Sequence, residues 1–164
     1  MSYYTVIPSP VDPLTLVTDG EVLTRVYMQS HNPSPLQTEE WIRKDEHVVL
    51  QWTKSQLSEF FAGARTEFDL PLGPNGTQFQ KSVWAQLCEI PYGETISYGE
   101  LARRIGNPNS SRAVGMANSK NPISIIVPCH RVIGANGKMV GFGGGIDRKE
   151  ILLKLERSKT SLFG

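Results

Sequence analysis

The sequence predicts an α+β protein of two domains. A small N-terminal α/β domain with an antiparallel sheet would precede a mainly helical C-terminal domain with a winged-helix-like helix-turn-helix. Strand-forming runs around a hairpin dipeptide occur in the first half, and capped helical segments occur in the second. Between them lies the segment 71–76, Pro-Leu-Gly-Pro-Asn-Gly, which neither a helix nor a central strand crosses easily. We therefore place the domain boundary between residues 1–75 and 76–164.

The composition excludes several classes of protein. The 164 residues are 39% hydrophobic and 20% charged, which excludes fibrous, collagen-like and wholly disordered chains. No apolar run approaches the roughly 20 residues of a membrane span, and the N-terminus lacks the pattern of a signal peptide. Two cysteines and three histidines predict neither a disulfide framework nor a zinc site. We expect a cytoplasmic protein, monomeric in solution, that contacts no membrane and uses no metal or cofactor.

The net charge of +1 hides an asymmetry between the two halves. Residues 1–75 carry 5 basic and 10 acidic side chains, whereas residues 76–164 carry 12 basic and 6 acidic ones. A basic half indicates a polyanionic partner such as nucleic acid. A chance excess of solvated lysines and arginines is the alternative that charge alone leaves open.

The predicted N-terminal sheet begins with three strands. Residues 3–7, 14–17 and 22–27 are rich in β-branched and aromatic side chains. An Asp-Gly pair separates the second and third runs and is a strong hairpin signal. Residues 30–40 contain several prolines and serines and predict a loop.

A helix is predicted from about Asp45 to Phe61. Asp45 would cap its N-terminus, and Gly63 would end it. Its predicted apolar stripe comprises Val48, Val49, Trp52, Leu57, Phe60 and Phe61. No cluster in this half carries recognisable chemistry.

The second half opens with a strong helix signal. Thr77 and Gln80 occupy the two reciprocal positions of a capping box. The apolar face of the helix that follows comprises Phe79, Val83, Trp84, Leu87 and Cys88. Cys88 is thereby predicted to be a small, buried hydrophobic residue.

Two further short helices joined by a tight turn predict a helix-turn-helix. The first follows a second capping box at residues 97–100 and ends at residues 106–109, Gly-Asn-Pro-Asn. The second starts at Ser110 or Ser111 and runs through Ala117. Helical hairpins are common, so this pattern is weak evidence of DNA binding by itself, and the basic charge of this half strengthens it.

The strongest candidate for chemistry follows a predicted buried strand at residues 123–127. Pro128 lacks an N–H, so the strand should end there. Cysteine reacts as a thiolate, and His130 is the best base near Cys129. Adjacent strand residues point to opposite faces, so the two side chains can cooperate only through a backbone turn or a bridging water. A buried structural cysteine beside a hydrogen-bonded histidine is the alternative that the dipeptide alone favours.

Glycine-rich segments lie downstream of this pair. Residues 134–138 and 141–145 predict either a loop with backbone N–H groups close to a ligand or a flexible turn. The last helix begins at Asp147, and its apolar side comprises Ile151, Leu152 and Leu155. Glu156 lies next to that side. It is either a solvated surface carboxylate or a hydrogen-bond acceptor that orients a histidine.

Together these segments resemble one known family. The matching segments are 91–93 (Pro-Tyr-Gly), 96–98 (Ile-Ser-Tyr), 112–115 (Arg-Ala-Val-Gly), 121–122 (Asn-Pro), 126–133 (Ile-Val-Pro-Cys-His-Arg-Val-Ile) and 148–149 (Arg-Lys). Their residues and spacing resemble the O6-alkylguanine-DNA alkyltransferases, also called methylated-DNA–protein-cysteine methyltransferases. The resemblance is dense over residues 76–157 and looser over residues 1–75, where the family has a variable domain.

The resemblance implies DNA repair by direct, irreversible alkyl transfer. A methyl or other alkyl group would move from O6-alkylguanine in duplex DNA, or from O4-alkylthymine, to a cysteine, and each molecule would act once on a flipped base. Cys129 would be the acceptor, His130 would deprotonate it through a water, and Glu156 would orient the imidazole. Asn121 would be the hinge between the recognition helix and the active-site strand.

The resemblance also implies how DNA is held. Arg112 would enter the base stack, and Tyr98 would help to rotate the nucleotide out and hydrogen-bond the leaving guanine. Further DNA contacts on the recognition helix would be Ser111, Ala113 and Gly115. The alkylguanine pocket would comprise Val132, Phe142, Gly143, Gly144 and Lys149. Within it the backbone carbonyl of Val132 would accept from the exocyclic amine of the base, and the loop at residues 142–143 would offer a backbone N–H to O6.

One position departs from the family pattern. Phe142 stands where tyrosine is common, so an apolar pocket wall remains but the hydroxyl is lost.

Two other functions remain open. A lesion-binding protein without transfer would resemble this chain but lack the cysteine, so Cys129 argues against it. A cysteine hydrolase would turn over repeatedly, and it gives no reason for Arg112, Asn121 or the helix-turn-helix.

Overall fold

The N-terminal half is a four-stranded sheet with a helix packed against one face. The computed structural model describes residues 1–28, 40–134 and 146–163, and it confirms the predicted α+β class. The elements of this half are β1 (Ser2–Ile7), β2 (Leu14–Thr18), β3 (Leu23–Met28), β4 (Trp41–Arg43) and α1 (Val48–Phe61). The strand order is β3-β2-β1-β4. The loop predicted at residues 30–40 lies outside the described residues except for its last position.

The first three strands pair antiparallel, as predicted. The hairpin between β2 and β3 is held by the Asp19 carboxylate, which accepts the backbone N–H groups of Glu21 and Val22 at 2.9 and 3.0 Å. The fourth strand, β4, lies parallel to β1 and was not predicted. Its three residues are too few to show the alternation that identifies a strand.

Two details predicted for α1 are wrong. His47 caps the helix, because its Nδ1 accepts the N–H of Val49 at 3.2 Å, and Asp45 instead accepts from Thr5 at 2.7 Å and Arg43 at 2.9 Å. The helix is also rotated from the predicted stripe, since Val48 and Trp52 are each 51% exposed. Its buried residues are Val49, Leu50, Thr53, Leu57 and Phe60. Thr53 can face the core because its hydroxyl donates to the Val49 carbonyl at 2.7 Å.

The C-terminal half contains the predicted helix-turn-helix. Its elements are α2 (Gln78–Leu87), β5 (Ile96–Ser97), α3 (Tyr98–Arg104), α4 (Ser111–Ser119), a 3₁₀ turn (Cys129–Arg131), β6 (Val132–Ile133) and α5 (Ile146–Phe163). Both reciprocal bonds of the Thr77–Gln80 capping box are present. Ser97 caps α3 by accepting the N–H of Glu100 at 3.0 Å. The turn between α3 and α4 passes through Gly106 at φ +81°.

Residues 123–127 do not form the predicted strand. They make a compact turn in which the N–H of Val127 donates to the Ile123 carbonyl at 3.0 Å. Ile125 adopts φ +74°, a conformation that a β-branched residue keeps only when its surroundings impose it. Burial explains the misleading sequence signal, because the turn is as apolar as a strand and is almost fully enclosed. Cys129 therefore follows a turn rather than a strand.

Two predicted burials are also wrong. Cys88 is exposed, because it lies at the C-cap of α2, beyond Leu87, the last residue of this helix that packs in the core. Ile151 on α5 is 40% exposed, while Leu152 and Leu153 are buried, so the apolar side of this helix is shifted by about one residue. None of the helices in the described part of the chain is long and apolar enough to cross a membrane.

The two halves share one cluster of buried side chains. The outer edge of β3 binds both the segment near Pro71 and the segment after α4. Leu23 donates to the Pro71 carbonyl at 2.7 Å, and Val26 donates to the Pro122 carbonyl at 3.0 Å. The N-terminal sheet thereby fixes the start of the turn that leads to Cys129.

Candidate active site

Cys129 begins the 3₁₀ turn and is 5% exposed. Its backbone is held on both sides, since its N–H donates to the Val127 carbonyl at 2.8 Å and its own carbonyl accepts from Asn118 Nδ2 at 3.3 Å. Burial raises the pKa of the Cys129 thiol, and a hydrogen bond from the Asn121 side chain and the charge of Lys149 oppose that rise. Burial therefore favours the protonated thiol, whereas Asn121 and Lys149 favour its thiolate.

His130 and Glu156 form the predicted pair. His130 Nε2 lies 2.6 Å from Glu156 Oε2, and both side chains are buried. Burial opposes ionisation of Glu156, but hydrogen bonds and charges from His130 and Arg131 outweigh it and lower its pKa to about 2. Burial lowers the pKa of His130, against the opposite effect of Glu156. His130 Nδ1 is buried and has no hydrogen-bond partner among the described residues.

Asn121 links α4 to the active-site turn, where the hinge residue was predicted. Its Nδ2 donates to the Val127 carbonyl at 2.8 Å, and its Oδ1 accepts the N–H of Ile123 at 3.0 Å. One amide side chain therefore bridges both ends of the turn and also reaches the thiol of Cys129. The hinge role itself stays a prediction.

Lys149 is fully buried beside Cys129, Tyr98 and Val132. Its Nζ donates to the Val132 carbonyl at 2.5 Å and lies 5.9 Å from the centre of the Tyr98 ring. Burial lowers the pKa of Lys149 to about 8, against the raising effect of Cys129. The carbonyl predicted to accept from the base thus already accepts from Lys149, which leaves it one lone pair for a second donor.

The predicted DNA contacts on α4 fall into two groups by their exposure. Ser111, Arg112 and Ala113 are exposed. Gly115 is half-buried against Tyr98, and a Cβ at this position would lie 3.5 Å from the Tyr98 ring. Phe142, Gly143 and Gly144 lie outside the described residues.

Comparison with known proteins identifies the family. The chain matches the family model of the 6-O-methylguanine DNA methyltransferase DNA-binding domain over residues 78–158 and that of its ribonuclease-like domain over residues 2–74. This chain belongs to the 6-O-methylguanine DNA methyltransferase family. The predicted resemblance is therefore confirmed.

Known relatives and solved structures align with this chain over nearly its whole length. The methylated-DNA–protein-cysteine methyltransferase of Methanosarcina acetivorans is 51% identical over 95% of this chain and 99% of its own length. That of Mycobacterium tuberculosis is 52% identical over 98% of this chain and 95% of its own length. The crystal structure of Mycobacterium tuberculosis O6-methylguanine methyltransferase, 50% identical, aligns over 100% of both chains with a TM-score of 0.89. The Mycobacterium tuberculosis protein in complex with DNA, 49% identical, aligns over 99% of both chains with a TM-score of 0.88.

Sequence reasoning missed two residues that contact this methyltransferase site and one exposed apolar residue on α4. Arg131 contacts Glu156 through two nitrogens, and Asn118 binds the carbonyl of Cys129. Met116 is 61% exposed on α4, one helical turn after Arg112. The only available signal for Arg131 was its place directly after the Cys-His pair, and no local pattern marks the other two.

Proposed function

We propose that this chain repairs DNA by moving a methyl or other small alkyl group from O6 of guanine in duplex DNA to the sulfur of Cys129. The observation that carries the proposal is the buried thiol of Cys129 beside the His130–Glu156 pair, in a chain of this family. A cysteine held in this way has an adjacent base, as activated nucleophiles require.

The transfer is a single displacement. The thiolate of Cys129 attacks the alkyl carbon, the carbon–sulfur bond forms, and the carbon–O6 bond breaks with its electron pair going to O6. The thiol loses its proton to the general base of the protein. The guanine takes up a proton as its normal ring is restored. Atoms and electrons balance without a co-reactant. The thioether is stable, so each molecule acts once.

The residues around the thiol have different roles in forming the thiolate. We assign proton acceptance to His130, through a water at Nδ1, and orientation of the ring to Glu156 at 2.6 Å. The Asn121 side chain and the charge of Lys149 stabilise the negative sulfur. Tyr98 faces the same space, burial raises the pKa of its hydroxyl, and this hydroxyl would donate a hydrogen bond to the leaving guanine.

Attack on O6 requires the base outside the duplex, because the alkyl group is buried in the stack. We propose that α4 meets the DNA, with Arg112 filling the gap that the flipped nucleotide leaves. Ser111, Ala113 and Gly115 would line the contact. Flipping costs a few kcal/mol, and an inserted guanidinium offsets part of that cost. We also propose a cytoplasmic location, since an acceptor thiol must stay reduced.

Mass spectrometry tests the proposal directly. The intact protein is incubated with a duplex that carries O6-methylguanine, and its peptides are then mapped. We expect a gain of one methylene unit on Cys129 that stops at one equivalent. Tight binding of the lesion with no mass gain would support a lesion-binding protein without transfer, and repaired DNA with unmodified protein would support a hydrolase that turns over.

Arg112→Ala should slow transfer from duplex DNA by roughly tenfold or more, because the loss of about 1.4 kcal/mol of support for the flipped state changes its population tenfold. Transfer from a free O6-alkylguanine base, which needs no flipping, should proceed at the wild-type rate. Single-turnover rates on the two substrates check this. Arg43→Ala, which removes an exposed arginine of the N-terminal half, is the control and should change neither rate. Equal slowing on both substrates would contradict a role in base flipping.

A further inference from the structure

Arg131 is a buried cation that takes no direct part in the displacement at Cys129. It lies in the same 3₁₀ turn as Cys129 and His130, and its side chain is only 7% exposed. Nε donates to Glu156 Oε1 at 2.9 Å, Nη2 donates to Glu156 Oε2 at 3.0 Å, and Nη1 donates to the Ile90 carbonyl at 2.7 Å. This geometry fixes the carboxylate of Glu156 in one plane.

Two side chains of different kinds share the Glu156 carboxylate with a backbone N–H. Oε2 contacts both His130 Nε2 at 2.6 Å and Arg131 Nη2 at 3.0 Å. Oε1 accepts from Arg131 and also from the N–H of Gly93 at 3.2 Å. An ionised carboxylate only accepts, so His130 Nε2 must carry a proton and donate it. His130 Nδ1 is then the position open to a second proton.

A buried carboxylate with histidine as its sole partner would favour the charged imidazolium. A charged His130 could take no proton from the thiol. The guanidinium of Arg131 opposes that charge, since both nitrogens contact the same oxygen and two cations would lie less than about 6 Å apart. Lys149 opposes it as well, so the charges around His130 are Glu156 on one side and Arg131 and Lys149 on the other.

We propose that Arg131 is a positioning residue for alkyl transfer: by sharing the Glu156 carboxylate it keeps His130 neutral, with the proton on Nε2 and Nδ1 ready to take the proton of Cys129. This inference rests on the proposed alkyl transfer. Arg131 then acts on His130 in two ways: it orients the ring through the shared carboxylate, and its charge suppresses the imidazolium.

The pH dependence of single-turnover transfer tests the charge effect. In Arg131→Met, His130 should protonate more readily, so the acidic limb of the rate profile should move to higher pH by about 1 unit. Arg131→Lys keeps the charge, and its limb should stay near that of wild type even if its rate falls. Arg65→Met removes an arginine paired with Glu59 away from the site and should leave the profile unchanged. A uniform fall in rate at every pH, with no movement of the limb, would overturn the proposal.

The protonation of His130 can also be read without any transfer. Nitrogen NMR of the unreacted wild-type protein should show a neutral imidazole at pH 7, with the proton on Nε2. In Arg131→Met, or in Arg131→Gln if the first variant does not fold, the ring should titrate at higher pH. A wild-type His130 that is already charged at pH 7 would overturn the proposal whatever the variants do. Absence of methyl transfer by wild type, with the predicted His130 signal present, would instead overturn the proposed function alone.

Discussion

Cys129→Ser should abolish alkyl transfer and leave DNA affinity nearly unchanged. A hydroxyl is a weak nucleophile at its ordinary pKa, and the neighbouring base cannot supply the thiolate character that the displacement needs. We expect the single-turnover rate to fall by about a thousandfold or more, as for the removal of other covalent nucleophiles. The side chain is only 5% exposed and is replaced by one of similar shape, so the surface of α4 should not change. Rates on an O6-methylguanine duplex and binding to the same duplex measure the two effects.

The chain offers a matched control in its second cysteine. Cys88 is exposed at the end of α2, and the protein has no third thiol. Cys88→Ser should transfer at the wild-type rate and gain one methylene unit on Cys129. A methyl group found on Cys88, or wild-type transfer by Cys129→Ser, would contradict the assignment of the acceptor.

The features predicted from the sequence are those that depend on neighbours in the chain. The capping box at Thr77 and Gln80 needs only a side chain and a backbone group three residues apart, so its residues reveal it. The hairpin around Asp19 is likewise local. Cys129 and His130 were recognisable because the motif around them is contiguous, and the family resemblance overturned the reading of a structural cysteine.

The features that were missed depend on contacts between distant segments. Residues 123–127 have the composition of a strand, but the edge of β3 and the Asn121 side chain hold them in a turn. The buried face of α1 is decided by the sheet beneath it, so Trp52 is exposed although it fits the predicted stripe. Glu156 was assigned to His130 by resemblance, yet its second partner, Arg131, emerges only when α5 is placed against the 3₁₀ turn.

Glu156→Gln should destabilise the protein strongly at pH 7. The substitution preserves the size of the side chain but leaves the buried Arg131 without its counter-charge. Breaking a buried ion pair from one side costs about 3 to 5 kcal/mol, which corresponds to a fall in Tm of roughly 10 °C for a chain of this size. Glu59→Gln is the control. Glu59 pairs with Arg65, but the Glu59 side chain is 44% exposed, so this ion pair should contribute about 1 kcal/mol at most.

The pH dependence of that loss distinguishes the charge of Glu156 from its shape. The pKa of Glu156 is lowered from 4.5 to about 2 in the folded protein, so its contribution to stability is complete above pH 4.5 and is lost as the pH falls toward 2. The gap in free energy of unfolding between wild type and Glu156→Gln should therefore be wide at pH 7 and should narrow below pH 4.5. Denaturant unfolding at several pH values measures it. A gap that stays constant with pH would mean that the glutamine destabilises the site through misfit, and the carboxylate would then lose its place as the shared acceptor of His130 and Arg131.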